Sequence, residues 1–575
     1  MKKIALALCV LLAACHGTTT TNHKDMNADF DSYKARFVEA LWKVYPTWAS
    51  SQGYHKWDSL LIAPTTAARA AEQTFAQANL DSLKTFSLDA LNDNNKTDYH
   101  LIENQLRSAI WSISEQKAWE WDPSGYNIGE TFASMLGNNY DTLDTRLRAF
   151  STRAASVPAY YEAAKANIKN PTVEHTQLAI EQNLGGVSVF EKDLPDALAK
   201  SHLNDAEKKV ITDRAAAAVA AMKGYADWLK ALKNDHPRDF RLGKELYARK
   251  FEFDIQSRYT PDQIYDKAVK HKAELHGEMA KLARQLWPKY MGSEAMPADS
   301  LQLIRSVIDK ISLQHTTPDS FQASIEHQLP VLTAFIKEHD LLYMDPSKPL
   351  VVRREPDYMA GVAGASISAP GPYDKNGNTY YNVGSLAGWD AAKAESYLRE
   401  YNHYILQILN IHEAIPGHYT QLIYANKSPS IIKSLFGSSS MIEGWAVYTE
   451  RMMLEEGYGG NEPEMWLMYY KWNLRSTCNT ILDYGVHAKN MSKEDAMNLL
   501  VNEAFQQQAE AEGKWRRVSV TQVQLCCYFT GFTEIYELRD EMKVKLGKAF
   551  KLKDFHEKFL SYGSAPVRYI REMMK

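Results

Sequence analysis

Nowhere does this chain string together the roughly 18–20 apolar residues of a spanning helix, so the mature protein is not expected to cross a bilayer. Cysteine is scarce, five residues in 575, and no CxxC pair is present to hold a metal. An excess of one charge is also missing. Sixty-six Lys and Arg stand against 70 Asp and Glu, a net charge near −4, which offers nucleic acid no basic surface. The G-x-S-x-G elbow of serine hydrolases is absent, "GSSSM" at 437–441 not matching it. There is no Gly-rich phosphate loop, no dinucleotide fingerprint and no repeat of fixed period. What is present is an ordinary 45% of hydrophobic residues, ample for a sizeable core. The length suits two or more domains, or one large helical enzyme.

The first fifteen residues, "MKKIALALCVLLAAC", read as processing information. Lys2 and Lys3 supply charge, Ile4 to Leu12 an apolar run, and Ala13-Ala14 a small-residue cleavage site. "LAAC" resembles a bacterial lipobox, in which Cys15 takes lipid and becomes the new N-terminus; the plainer alternative is a secretory signal with a chance cysteine. His16 in place of Asp points such a lipoprotein to the outer membrane of a Gram-negative envelope, facing the periplasm. Residues 1–14 are then the signal and 15–28 a flexible tether without apolar period. Cys478, Cys526 and Cys527 remain for an oxidising compartment, with at most one bridge, from Cys478.

From 29 to 350 the pattern is helical. "DFDSYKARFVEALWKVYP" has apolar residues three and four apart and stops at a proline. "DAEKKVITDRAAAAVAAMKGYADWLKALK" keeps the same period, and "TPDQIYDKAVKHKAELHGEMAKLARQLWP" opens on N-cap Thr260 with Pro261 at the first helical position. At 350 the texture changes to β-branched residues, glycines and prolines. Asn376-Gly377, between Tyr373 and Tyr380-Tyr381, reads as a hairpin turn. Such a sheet, one helical segment (Asp390 to about His412) ahead of the next motif, would offer an edge to an extended peptide, and Tyr380 and Tyr381 are candidates either to support a metal ligand from behind or to contact substrate. A purely structural hairpin is the alternative. The expected fold is mainly α (α+β), one continuous unit from 29 to 575 around a cleft. Residues 29–350 form one wall and 351–575 the chemical wall.

The chemistry centres on "HEAIPGHYTQ", 412–421. A zinc-binding HExxH helix spaces its histidines by four, whereas His412 and His418 are six apart. On a straight helix that is a rotation of about 600°, roughly 120° off a common face. Pro416, however, cannot donate to the His412 carbonyl and crowds it, so the helix must kink, bulge or restart, with Gly417 relaxing the backbone. The spacing therefore comes with residues that can bring both imidazoles together. Glu443, in the helical "MIEGWAVYTE", supplies a third ligand of a catalytic zinc set. Glu413 is the candidate general base for a metal-activated water. Glu450, two turns beyond Glu443 on nearly the same face, is placed to hold a histidine ring.

"HEAIPGH", "EGWAVYTE", "LDYGVH", "YFTGFTEIYELR" and "FHEKFLSYGSAPVRYI", in this order, resemble the domain-of-unknown-function 885 family, as do "YPTWASSQGYHKWDSLL" and "WEWDPSGYNIGE" upstream. The resemblance covers essentially the whole mature chain. It implies a distant relative of the gluzincin metallopeptidases, helical enzymes with two histidines and a downstream glutamate on zinc. One departure is Tyr419, where the family often has a second histidine; its absence favours His418 as the ligand. From spacing and resemblance together, Asp483 and His487, four apart, could orient a ligand, add one, bind substrate, or be a buried polar pair. Tyr528 or His487 could stabilise an oxyanion. Arg539 could take a substrate carboxylate or form a structural ion pair.

The expected function is a zinc-dependent peptidase acting on peptide bonds in the cell envelope, anchored through lipid on Cys15. A zinc hydrolase of a non-peptide amide or ester is one alternative, and a non-catalytic lipoprotein that binds a peptide or envelope partner is another.

Overall fold

A computed structural model describes residues 25–345, 349–355, 365–374 and 378–575. Cys15 with its signal, and the Asn376-Gly377 turn, lie outside them. Side-chain caps and prolines set the helix boundaries. Helix α1 (Asn27–Val44) ends ahead of Pro46 and buries Phe30, Tyr33, Phe37 and Leu41 on one face. It begins inside the stretch expected to be tether. Asn27 Oδ1 accepts from Asn92 N (3.0 Å) and Asn95 Nδ2 (2.9 Å), so ordered packing has begun by residue 27. Asn92 caps α2 (Asp93–Trp111). The helix Asp205–Ala231 and α3 (Pro261–Met291) both open on capping boxes, Asn204 with Glu207 and Thr260 with Gln263.

Three short strands follow: β1 (Leu350–Arg354), β2 (Ala365–Ser368) and β3 (Thr379–Val383). The order is β1-β3-β2, with β3 parallel to β1 and antiparallel to β2. This corrects the expectation for Tyr380 and Tyr381. They sit on the central strand, paired with Val351 and Val352 on one side and Ser368 and Ile367 on the other, so they offer no free edge. The Tyr381 ring is buried and its hydroxyl donates to Asn410 Oδ1 (2.7 Å), while the Arg353 guanidinium lies 3.8 Å over the Tyr380 ring. Tyr373 is in the connection, where its hydroxyl accepts from Trp42 Nε1 (3.2 Å).

The helical segment expected from Asp390 to His412 is two helices, Ala391–Glu400 and α4 (His403–Glu413). Asn402 breaks it because its Oδ1 accepts from Tyr404 N and Ile405 N and caps the second helix. Then come α5 (His418–Ala425), α6 (Ser439–Glu455), α7 (Pro463–Lys489), α8 (Gln508–Val520) and α9 (Cys527–Leu546). Helices α6 and α9 cross at two glycines. A Cβ on Gly444 would fall 2.4 Å from the Gly531 backbone, and one on Gly531 would fall 1.7 Å from the Ser440 carbonyl oxygen. This contact sets α9 directly beside α6.

The largest hydrophobic core draws on residues from Trp121 to Met574 and includes the inner faces of α3, α4, α6, α7 and α9. Cys478, Cys526 and Cys527 are buried free thiols, so no bridge forms from Cys478. No described helix is long and apolar enough to cross a membrane.

Candidate metal centre

The six-residue histidine spacing is resolved by a break in the helix. Helix α4 ends at Glu413, α5 restarts at His418, and residues 414–417 form a turn with a cis Ile415-Pro416 bond. The turn is held by Ile415 N on the Asn410 carbonyl (3.1 Å), Gly417 N on the Ile411 carbonyl (2.9 Å), and Trp445 Nε1 on the Pro416 carbonyl (2.9 Å). Gly417 passes so close to α4 that a Cβ there would lie 1.9 Å from the His412 carbonyl oxygen. The result is convergence: the His412 and His418 rings stand 4.7 Å apart, nearly perpendicular.

Helix α6, capped by Ser438, brings Glu443 against both rings. Glu443 Oε2 lies 3.6 Å from His412 Nε2 and 3.4 Å from His418 Nε2. Two turns on, Glu450 Oε1 accepts from His412 Nδ1 (2.7 Å) and from Trp472 Nε1 (3.0 Å). One carboxylate thus fixes the back of the His412 ring, leaving Nε2 to face the other.

The donor set fits zinc. Ligand atoms about 2.0–2.1 Å from a tetrahedral ion lie roughly 3.3–3.4 Å from one another, close to the distances seen. Glu443 Oε2 is buried with no hydrogen-bond partner among the described residues, as expected of an atom reserved for a cation. Among the described residues, His412, His418 and Glu443 are the group of potential metal-binding side chains whose ligand atoms meet within 4.8 Å of one another.

Electrostatics agree with this. Burial works against charge on His412, but Glu443 and Glu450 outweigh it and raise the imidazole to about 10. Burial also opposes charge on Glu443, yet the two histidines hold it well below the usual carboxylate range. Glu413, at the end of α4, is pushed up chiefly by burial; His412 and His418 oppose this, and Glu443 and Glu450 reinforce it. Three carboxylates around two imidazoles make a place that favours a cation.

A cavity of about 270 Å³ opens nearby between the two halves of the chain. Asn104 and Gln105 of α2 line one side, and Ser439, Gln524 and Cys527 the other. Ser439 is one helical turn before Glu443.

Residues 46–574 match the family described as a bacterial protein of unknown function (DUF885). The chain belongs to the DUF885 family. No curated protein matches it. A solved structure of a candidate lipoprotein of unknown function from Shewanella oneidensis is 53% identical, with a TM-score of 0.87 over 95% of this chain and 99% of that one. A second candidate lipoprotein, from Colwellia psychrerythraea, is 16% identical and shares the fold, with a TM-score of 0.77 over 95% and 97%.

In this DUF885 chain Tyr528 lies within electrostatic reach of Glu443. It stands in the first turn of α9, and burial and then the Glu443 carboxylate push its phenol well up, keeping it a proton donor. Arg517 Nη2 donates to its oxygen (3.3 Å) and to Gln524 Oε1 (2.7 Å).

Asp483 and His487 do not join the site. Asp483 is fully buried and accepts from Val523 N (3.0 Å) and Leu525 N (2.9 Å). His487 Nε2 lies against the Val518 and Thr521 carbonyl oxygens (2.8 and 3.0 Å). Together they clamp the turn that leads into Tyr528, where Val523 adopts φ +70°, a conformation strained for a β-branched residue. His487 therefore holds the turn and is no oxyanion donor. Arg539 is an ion-pair residue, bonding Glu455 Oε2 (2.8 Å) and stacking over Tyr536 (4.0 Å).

Sequence reasoning missed Arg517 and Trp472. "KWRR" and "YKWNLR" carry the signal only as cation–aromatic clusters on inward helix faces.

Proposed function

We propose that this DUF885 protein is a zinc-dependent hydrolase of peptide bonds, held in the cell envelope by lipid on Cys15. The carrying observation is Glu443 Oε2 facing both histidine Nε2 atoms at 3.4–3.6 Å, with Glu413 adjacent. His412, His418 and Glu443 would hold the ion. Bound zinc would supply Lewis-acid chemistry, polarising a carbonyl and acidifying water.

The remaining work falls to the protein. Glu413 takes the proton of the attacking water and passes it to the departing amine, a role suited to a carboxylate whose affinity for protons is raised by burial. Tyr528 O–H donates to the oxygen on which negative charge develops. Glu450 and Trp472 keep the His412 ring in register. Strand β2, at an edge of the sheet and in contact with α4, is where an extended peptide would pair. The Shewanella relative, described as a candidate lipoprotein, supports the envelope assignment, and His16 supports the outer membrane facing the periplasm.

Metal analysis and a peptide library test the reading. Wild type should carry one zinc per chain. His412→Ala should lose it. Glu413→Gln should keep it and lose turnover by roughly 10²–10⁴-fold. A metal-free wild type, or unchanged turnover in Glu413→Gln, would overturn it.

A further inference from the structure

The cavity of about 270 Å³ between α2 and the start of α6 is lined almost wholly by uncharged groups. Asp254, the one ionic side chain on its wall among the described residues, is already paired with Lys250 Nζ (2.6 Å). Leu101, Phe253 and Phe436 make part of the wall apolar, and amides and hydroxyls make up most of the rest. Gln256 is the amide without a partner. It is 6% exposed, and its Oε1 is buried with no hydrogen-bond partner among the described residues. An acceptor buried in this way is costly unless something donates to it. The backbone adds to that cost. Gln256 follows the helix Lys244–Ile255 with φ +51°, a left-handed conformation that glycine or asparagine usually fills at a helix end. Strain held where a polar side chain enters a cavity points to a ligand.

Another part of the wall belongs to the metal centre. Ser439 lies four residues before Glu443 on α6, so the two share a helix face with Cβ atoms about 5–6 Å apart. Gln524, also on the wall, is tied to Tyr528 by a single guanidinium nitrogen. Arg517 Nη2 donates to Gln524 Oε1 at 2.7 Å and to the Tyr528 hydroxyl at 3.3 Å. Each peptide residue spans at most about 3.5 Å, so a substrate at the metal centre reaches this wall within a residue or two. With its Oε1 taken by Arg517, Gln524 has its Nε2 left to donate. The cavity therefore offers both an acceptor, Gln256 Oε1, and a donor, Gln524 Nε2.

We propose that this cavity is a subsite for an uncharged carboxamide side chain of the substrate, glutamine or asparagine, with Gln256 Oε1 as its acceptor. A carboxamide has an NH₂ to give Gln256 and a carbonyl to take from Gln524, and its methylenes suit the leucine and phenylalanine wall. A carboxylate has no proton for Gln256 and would meet Asp254 with no cation lining the cavity among the described residues. An ammonium would find the one carboxylate already engaged by Lys250. The volume suits one side chain, lying below the roughly 300–1,000 Å³ of pockets that take drug-sized ligands. The inference rests on the hydrolase reading and narrows its substrates to peptides with Gln or Asn close to the bond cut.

The test uses N-acylated alanine hexapeptide amides carrying Gln, Glu, Lys or Met at each position in turn. At one position, zinc-loaded wild type should cleave the Gln peptide with kcat/KM roughly tenfold or more above its Glu, Lys and Met counterparts. Gln256→Gly suits the positive φ and should fold as wild type does, read by circular dichroism; in it the preference should fall toward one. Calorimetry gives a readout free of turnover. N-acetyl-glutamine N-methylamide should bind wild type roughly tenfold or more tighter than its glutamate and methionine analogues, and should lose that advantage in Gln256→Gly. No glutamine selectivity in either readout means that the cavity holds water only and overturns the subsite, as does a selectivity that survives in Gln256→Gly. Cleavage of the panel would still leave the hydrolase reading standing. Glutamine-selective binding that Gln256→Gly removes, with no peptide turned over, does the reverse.

Discussion

Gly417 has no room for a methyl group. Its hypothetical Cβ meets the His412 and Ile411 carbonyl oxygens at 1.9 and 2.4 Å, so any side chain would push α5 away from α4. Gly417→Ala should therefore cost about 3 kcal/mol or more in denaturant melts and abolish zinc binding in the fraction that folds. Tyr528→Phe keeps the ring and loses the donor. It should retain metal and lower kcat by about 10²-fold with little change in KM, read by steady-state kinetics. The convergence of the two histidines was legible from sequence because His412, Pro416, Gly417 and His418 act on one another within a turn. Asp483 and His487 have the same four-residue regularity, but their partners are backbone groups of 518–525, 31 to 42 residues away. Spacing alone could not reveal that they hold a turn rather than a substrate.

Among elements, the crossing of α6 and α9 does for Tyr528 what the 414–417 turn does for His418. Gly444 and Gly531 let the two backbones touch and bring Cys527 and Tyr528 within electrostatic reach of Glu443. Gly531→Ala should separate the helices, lower stability by several kcal/mol, and reduce kcat without changing which residues bind zinc. The helix Leu552–Ser561 is docked by a buried, neutral His556, whose Nδ1 faces the Leu341 carbonyl (2.9 Å) and whose Nε2 faces the Tyr448 hydroxyl (2.8 Å). Burial, with help from Arg539, lowers His556 to about 4. The unfolded ring takes a proton below about 6.5, whereas the folded one resists down to about 4. Stability from this group is thus complete above pH 6.5 and falls as pH drops toward 4, on the order of 3 kcal/mol in all. Urea melts across that range should show the slope, and His556→Gln should flatten it. The helices themselves were readable from their period and caps. The break at Asn402 and the central position of β3 were not, because one depends on an Asx cap inside a continuous apolar pattern and the other on which strands pair.

At the scale of the molecule, the first hundred or so residues and the C-terminal half share buried structure. Ile432, Leu435 and Phe436 pack into the core formed by Phe30, Phe37, Trp42 and Leu101. Lys433 Nζ, buried, bonds Asp98 Oδ1 (2.6 Å) in α2, and Lys34 reaches the other oxygen (2.8 Å). Lys433→Met leaves Asp98 with Lys34 as its cation and the Ser430 hydroxyl as its other donor, and should destabilise the protein by roughly 2–4 kcal/mol. Adding Asp98→Asn should recover part of that, as a double-mutant cycle would measure. Composition and helical texture announced the large helical fold, but nothing in the local sequence of 431–436 marks it as the segment that returns to the N-terminal core.

The turn at 414–417 has a practical consequence for finding related sites. A motif scan that demands histidines four positions apart passes over this protein, because its second histidine arrives on a new helix instead of the next turn of the same one. A pattern that allows six positions, and requires a glycine just before the second histidine where the returning backbone grazes α4, would retrieve centres built in this way.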